Sequence, residues 1–103
     1  MTLEVELRAL RSEYAARLPE KLVLLATAVR AAVSDPAYIP YAVSLAHRLA
    51  GTAGSYGFAA VGSAAGRLEE ALGGSGEATG AAIADALEAT QIAIAAAAAA
   101  EAP

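Results

Sequence analysis

The sequence contains no cysteine, which excludes disulfides, thiol chemistry and cysteine-based zinc sites. It has no tryptophan and a single phenylalanine. β-Branched residues are sparse as well, so strands are not expected. Cations are scarce: 7 Lys and Arg stand against 11 Asp and Glu, for a net charge of −4 and a pI near 4.8. Nucleic-acid binding draws on clustered Lys and Arg, and anionic membrane surfaces attract the same groups. Neither partner is expected. The opening MTLEVELRAL lacks the basic and apolar regions of a signal peptide. The apolar run Ile92 to Ala100 is too short and too rich in alanine for a bilayer span, which takes roughly 20 apolar residues. The expectation is one small domain over residues 1–103, monomeric and cytoplasmic.

What remains is mostly alanine, the strongest intrinsic helix former. The expected class is all-α. Four segments carry helical patterns. The first, Leu3 to Val33, places Leu3, Leu7, Leu10, Tyr14, Leu18, Leu22, Leu25 and Val29 on one stripe facing a core. Pro19 removes a backbone donor inside it, so a kink or break near Leu18 is predicted. Asp35 reads as an N-cap with Pro36 at the first helical position. The second helix is expected over about Tyr41 to Ala53, followed by a turn at Gly54-Ser55-Tyr56-Gly57. The third, Phe58 to Leu72, repeats Phe58, Val61, Ala65, Leu68 and Leu72 on one face. A loop at Gly73-Gly74-Ser75-Gly76 leads to the fourth, Glu77 to Ala100, with Ile83, Leu87 and Ile94 inward. Its alanine-rich end, 95–103, is expected to fray. Short loops between such helices favour an up-down antiparallel four-helix bundle.

His47 is the only histidine. Leu45 and Leu49 lie four apart on the expected core face. At about 100° per residue, His47 stands about 200° from each and points outward. Its helical neighbours are Pro40, Val43, Ser44, Ala50, Gly51 and Gly54. Most of these are very small. Glycine inside a helix costs up to about 1 kcal/mol relative to alanine, so Gly51, one turn after His47, calls for a reason other than stability. Access is that reason: with no side chain there, a partner can reach the imidazole. Imidazole titrates near neutrality, and its neutral form carries a nucleophilic ring nitrogen.

The stretch His47-Arg48-Leu49-Ala50-Gly51, with Gly57 six residues on, resembles the histidine-phosphotransfer (Hpt) signature H-x-L-K-G-x-x-x-x-x-G. The frame is similar too, with Leu18-Pro19-Glu20 before it and Leu68-Glu69 after it. The resemblance runs from Leu3 to about Ile94. It implies a phosphocarrier of a bacterial two-component phosphorelay: His47 accepts a phosphoryl group from a receiver-domain aspartate and passes it to another receiver. The implied partners are response-regulator receivers or a hybrid histidine kinase. The chain itself would hold no cofactor and no metal, the receiver bringing Mg²⁺. No phosphate-binding glycine loop with a lysine is present, so autokinase activity is not expected. The docking face would be Val43, Ser44, Ala50 and Gly54. One departure is that Ala50 replaces the usual lysine. Arg48, or Arg67 on the third helix, is the candidate substitute for holding phosphoryl oxygens. Glu69 is the candidate partner of one imidazole nitrogen. Two other readings use the same residues: an Hpt-like domain of a larger sensor kinase, and a helical binding bundle that has lost transfer.

Overall fold

The computed structural model describes residues 2–73 and 80–101. Four helices follow in order: α1 (Leu3–Ser34), α2 (Ile39–Ser55), α3 (Ala59–Gly73) and α4 (Gly80–Glu101), with a 3₁₀ turn at Pro36–Tyr38 between the first two. α1 is capped by Thr2, whose hydroxyl accepts from the Val5 amide, and carries Glu4 and Glu6 in its first turn. Both features favour a helix N-terminus. Asp35 caps the 3₁₀ turn by accepting from the Ala37 amide at 3.0 Å, and Pro36 is its first residue. Each expected helix is found, with ends moved by one or two residues where they are described. Residues 74–79, which include most of the expected third loop and the first expected turn of α4, lie outside the described residues.

Each helix packs on two neighbours: α1 on α2 and α4, and α3 on α2 and α4. No diagonal pair is in contact among the described residues. The run of contacts fixes the directions. Arg11, near the start of α1, reaches Tyr56 just after α2 and Glu101 at the end of α4. Val43, early in α2, faces Gly73 at the end of α3. Neighbours are therefore antiparallel, as an up-down bundle requires.

Three expectations are corrected. α1 does not break at Pro19, which lies on an exposed position of one continuous helix. The inward stripe of α1 begins only at Tyr14. Leu3, Leu7 and Leu10 stay exposed, because among the described residues α4 and α2 end level with Arg11 and the first turns of α1 have no neighbour. On α2 the core line is Ala42, Ala46, Leu49 and Ala53, while Leu45 is only half-buried. Leu18, Leu25, Val61, Leu68 and Ile94 fill the centre. On α4 the buried line is Ala86, Thr90 and Ile94, with Ile83 and Leu87 half-buried at its sides. Thr90 is fully enclosed, and its hydroxyl donates to the Ala86 carbonyl at 2.8 Å, so its polar group has a partner. At 22 residues, α4 extends well beyond the apolar run Ile92–Ala100. By length and composition it reaches the range of a membrane-crossing helix, with a mean hydropathy of 1.3. In this fold its neighbours are α1 and α3.

Candidate functional site

α2 and α3 meet through small residues. A Cβ on Gly62 would lie 3.1 Å from the Ala50 carbonyl oxygen and 3.4 Å from the Gly54 nitrogen. Only a glycine lets the two backbones come this close without displacement. Ala46, Ala53, Ala64 and Ala65 are buried in the same bundle. This close approach brings a side chain of α3 to one of α2. His47 Nδ1 lies 3.0 Å from Glu69 Oε2 and 3.2 Å from Oε1. A carboxylate only accepts, so the ring donates from Nδ1–H. In a neutral ring with that proton on Nδ1, Nε2 keeps its lone pair. The histidine side chain is 74% exposed and the glutamate 32%. His47 is thus far more exposed than Leu45, as the helical phase requires.

The neighbours of His47 divide into two groups. Ser44, Gly51 and Gly54 are exposed, and open space surrounds the Cβ position of Gly51. Val43 and Ala50 are half-buried and turned toward α3: Val43 touches Gly73, and the Ala50 carbonyl meets Gly62. The accessible strip beside the histidine is therefore narrower than its helical neighbours suggested. The two candidate cations also part company. Arg67 is exposed beside Glu70 and Asp85, on the side of α3 toward α4. Arg48 is exposed and lines a groove between α1 and α2 together with Lys21. Glu69 is the candidate that the fold brings to the imidazole.

The same helix is anchored from its other side. Thr52 donates to the Arg48 carbonyl at 2.8 Å, and the Tyr14 hydroxyl meets Thr52 Oγ1 at 2.8 Å. Burial raises the Tyr14 pKa above its ordinary value, the Thr52 hydrogen bond pulls it back, and nearby Tyr56 raises it again. The Tyr14 ring stacks on Tyr56 with centroids 4.4 Å apart. Gly57 closes the α2–α3 turn at φ 86°, in the left-handed region that favours glycine, and a Cβ there would fall 2.6 Å from Arg11 Nη1. Sequence reasoning missed Gly62, Tyr14 and Thr52 as supports of the site. For Gly62 a signal was present: an interior helical glycine that needs a packing reason.

The helix pattern agrees with the comparison to known families. The model of the Hpt domain matches residues 9–101. The chain belongs to the Hpt domain family, whose members are phosphocarriers that take part in histidine phosphotransfer with receiver domains and histidine kinases. No curated protein and no solved structure gives a significant match.

Proposed function

We propose that His47 is the phosphoacceptor of a phosphorelay carrier that takes its phosphoryl group from one receiver aspartate and gives it to another. The observation that carries this is the hydrogen bond from Nδ1–H of an exposed imidazole to Glu69. It selects the tautomer in which Nε2 is the nucleophile. Nε2 attacks phosphorus, the Nε2–P bond forms and the aspartyl O–P bond breaks, leaving the receiver's carboxylate. No proton has to leave Nε2. The ring gains positive charge as the bond forms, and the Glu69 carboxylate at Nδ1–H offsets it. The reverse sequence at a second receiver regenerates the free imidazole. Phosphoryl transfer of this type depends on positioning and electrostatics, and the receiver would supply the Mg²⁺. Gly51 leaves room for that partner. Arg48 is the cation next to His47 in the chain.

In this reading the whole chain is one carrier domain without autokinase activity, monomeric and cytoplasmic. Ala50, in the place of the family's lysine, favours a second reading: a bundle that binds receivers without accepting phosphate. One experiment separates them. Receiver domains carrying labelled phosphoaspartate are mixed with the wild-type protein and with His47→Gln. The wild type becomes labelled with an acid-labile, base-stable phosphoramidate, and His47→Gln takes up none. Label on His47→Gln would place the acceptor elsewhere. Complex formation without label on the wild type would establish the second reading.

A further inference from the structure

The surface beside His47 is electrically lopsided. On the α3 side stands Glu69, bonded to the ring. On the α1 side a groove of about 200 Å³ runs between α1 and α2. Its polar rim is Lys21 and Arg48, and its apolar lining includes Leu24 and Leu45. Leu24 is 57% exposed, and Leu45 is half-buried. Arg48 follows His47 directly, about 100° around α2. Arg17, exposed and one turn before Lys21, lies on the same stripe of α1. The ion pairs seen among the described residues are Arg11–Glu101 and His47–Glu69, so neither Lys21 nor Arg48 is spent on an internal carboxylate. The Lys21 ammonium rests 5.6 Å from the centroid of the Tyr14 ring. In a chain of net charge −4, a cationic groove with two accessible leucines adjoins the one histidine.

The geometry points to this groove, Lys21–Leu24–Leu45–Arg48, as the docking surface for the carboxylate-rich rim of the phosphoryl-bearing receiver. The inference rests on the phosphocarrier reading of His47. A Mg²⁺-bound aspartyl phosphate is held among carboxylates, because Mg²⁺ takes oxygen ligands. A partner of that chemistry is repelled by Glu69 and attracted by Lys21 and Arg48. Its body therefore leans over α1 and α2, its apolar surface covers Leu24 and Leu45, and its phosphoryl group meets Nε2 at the edge of the groove. This contact puts cations on the receiver's rim and compensates in part for the one that Ala50 does not provide. Complementary charge at an interface acts mainly on the encounter rate and is weakened by salt.

The test measures the second-order rate of phosphoryl transfer from a panel of phosphorylated receiver domains. It compares the wild type with Lys21→Glu/Arg48→Glu and with a charge-matched control, Arg8→Glu/Arg30→Glu. The control positions lie about 20 Å and about 13 Å from Lys21 along α1. In parallel, phosphoramidate reports the intrinsic reactivity of His47 without a protein partner, and circular dichroism reports the fold. The groove variant slows transfer from receivers about tenfold or more at low salt. The deficit narrows as salt is raised, and Lys21→Glu alone, which leaves the cation next to His47 in place, shows part of it while its labelling by phosphoramidate stays at the wild-type level. The control double variant transfers like the wild type. The neutral pair Lys21→Gln/Arg48→Gln gives the same ordering with a smaller loss, which removes dependence on two new carboxylates. Wild-type transfer rates in the groove variant, or an equal loss in the control, overturn the docking proposal alone. A wild-type protein that no receiver phosphorylates overturns the phosphocarrier reading, and the docking proposal with it.

Discussion

At the residue scale, the proposed transfer depends on which ring nitrogen carries the proton. Glu69 decides this by accepting from Nδ1–H of His47 at 3.0 Å. A free imidazole would divide its time between tautomers. In the proposed transfer Glu69 is thus a positioning residue, and removing its carboxylate would cost orientation as well as charge stabilisation. Glu69→Ala is expected to slow phosphoryl transfer roughly ten- to hundredfold, the worth of a hydrogen bond to a charged group. Glu69→Gln restores part of the rate, since its amide oxygen still accepts from Nδ1–H. ¹⁵N chemical shifts of the ring provide the readout that a merely structural residue would not move: the Nδ1–H tautomer prevails in the wild type and gives way to a mixture in Glu69→Ala. An unchanged tautomer in Glu69→Ala would remove the residue from the mechanism.

At the element scale, the distance between α2 and α3 sets the reach from Glu69 to His47. That distance depends on Gly62, where a Cβ would press on the Ala50 carbonyl at 3.1 Å. The Cβ is held rigidly by its own helix and the carbonyl belongs to the backbone of the other, so neither can swing away like a side-chain end. Gly62→Ala gains helix propensity of about 1 kcal/mol and loses the close approach. The expected outcome is a helical protein whose net stability changes little while the His47–Glu69 hydrogen bond lengthens. The measurement is again the ring ¹⁵N shift, with transfer rate beside it and a denaturant melt as the stability control. A Gly62→Ala protein with the wild-type tautomer would show that the interface absorbs a methyl group without moving Glu69.

At the scale of the whole molecule, one residue ties three chain segments at the end of the bundle. Arg11 pairs with Glu101 of α4, donates to the Tyr56 carbonyl at 3.3 Å, and stacks its guanidinium 4.3 Å from the Phe58 ring centroid. Its side chain is 41% exposed, so the ion pair itself is screened and contributes modestly. The sum of pair, hydrogen bond and ring contact is about 1–2 kcal/mol. Arg11→Ala is expected to lower global stability by that amount. Amide exchange should quicken in the last turns of α4 and at the α2–α3 turn, and stay slow around Leu49. Uniform acceleration along the chain would mean that the clasp has no local role. His47 lies more than two helical turns from that end, so transfer should persist in the variant.

How much of this was legible in the sequence follows from the range of each interaction. Helix number, the cap at Asp35, the turn ending in Gly57 and the outward phase of His47 depend on residues within a few turns of each other, where propensity and 3.6-residue periodicity act. The sequence by itself determined these. It could not determine where the inward stripe of α1 begins. Leu3, Leu7 and Leu10 continue the pattern of Tyr14 and Leu18, but burial requires an opposing helix, and the ends of α2 and α4 decide where that opposition stops. The same holds for Leu45, which packs against the edge of the core and lines the groove between α1 and α2 on its other side, so it stays half-buried. Nor could sequence choose among Arg48, Arg67 and Glu69, which differ only in the helix each one faces. Glu69 meets His47 because Gly62 lets α3 approach α2, Arg67 faces toward α4, and Arg48 turns to Lys21 on α1. These are contacts between residues far apart in the chain, and only the packing of four helices around one core decides them.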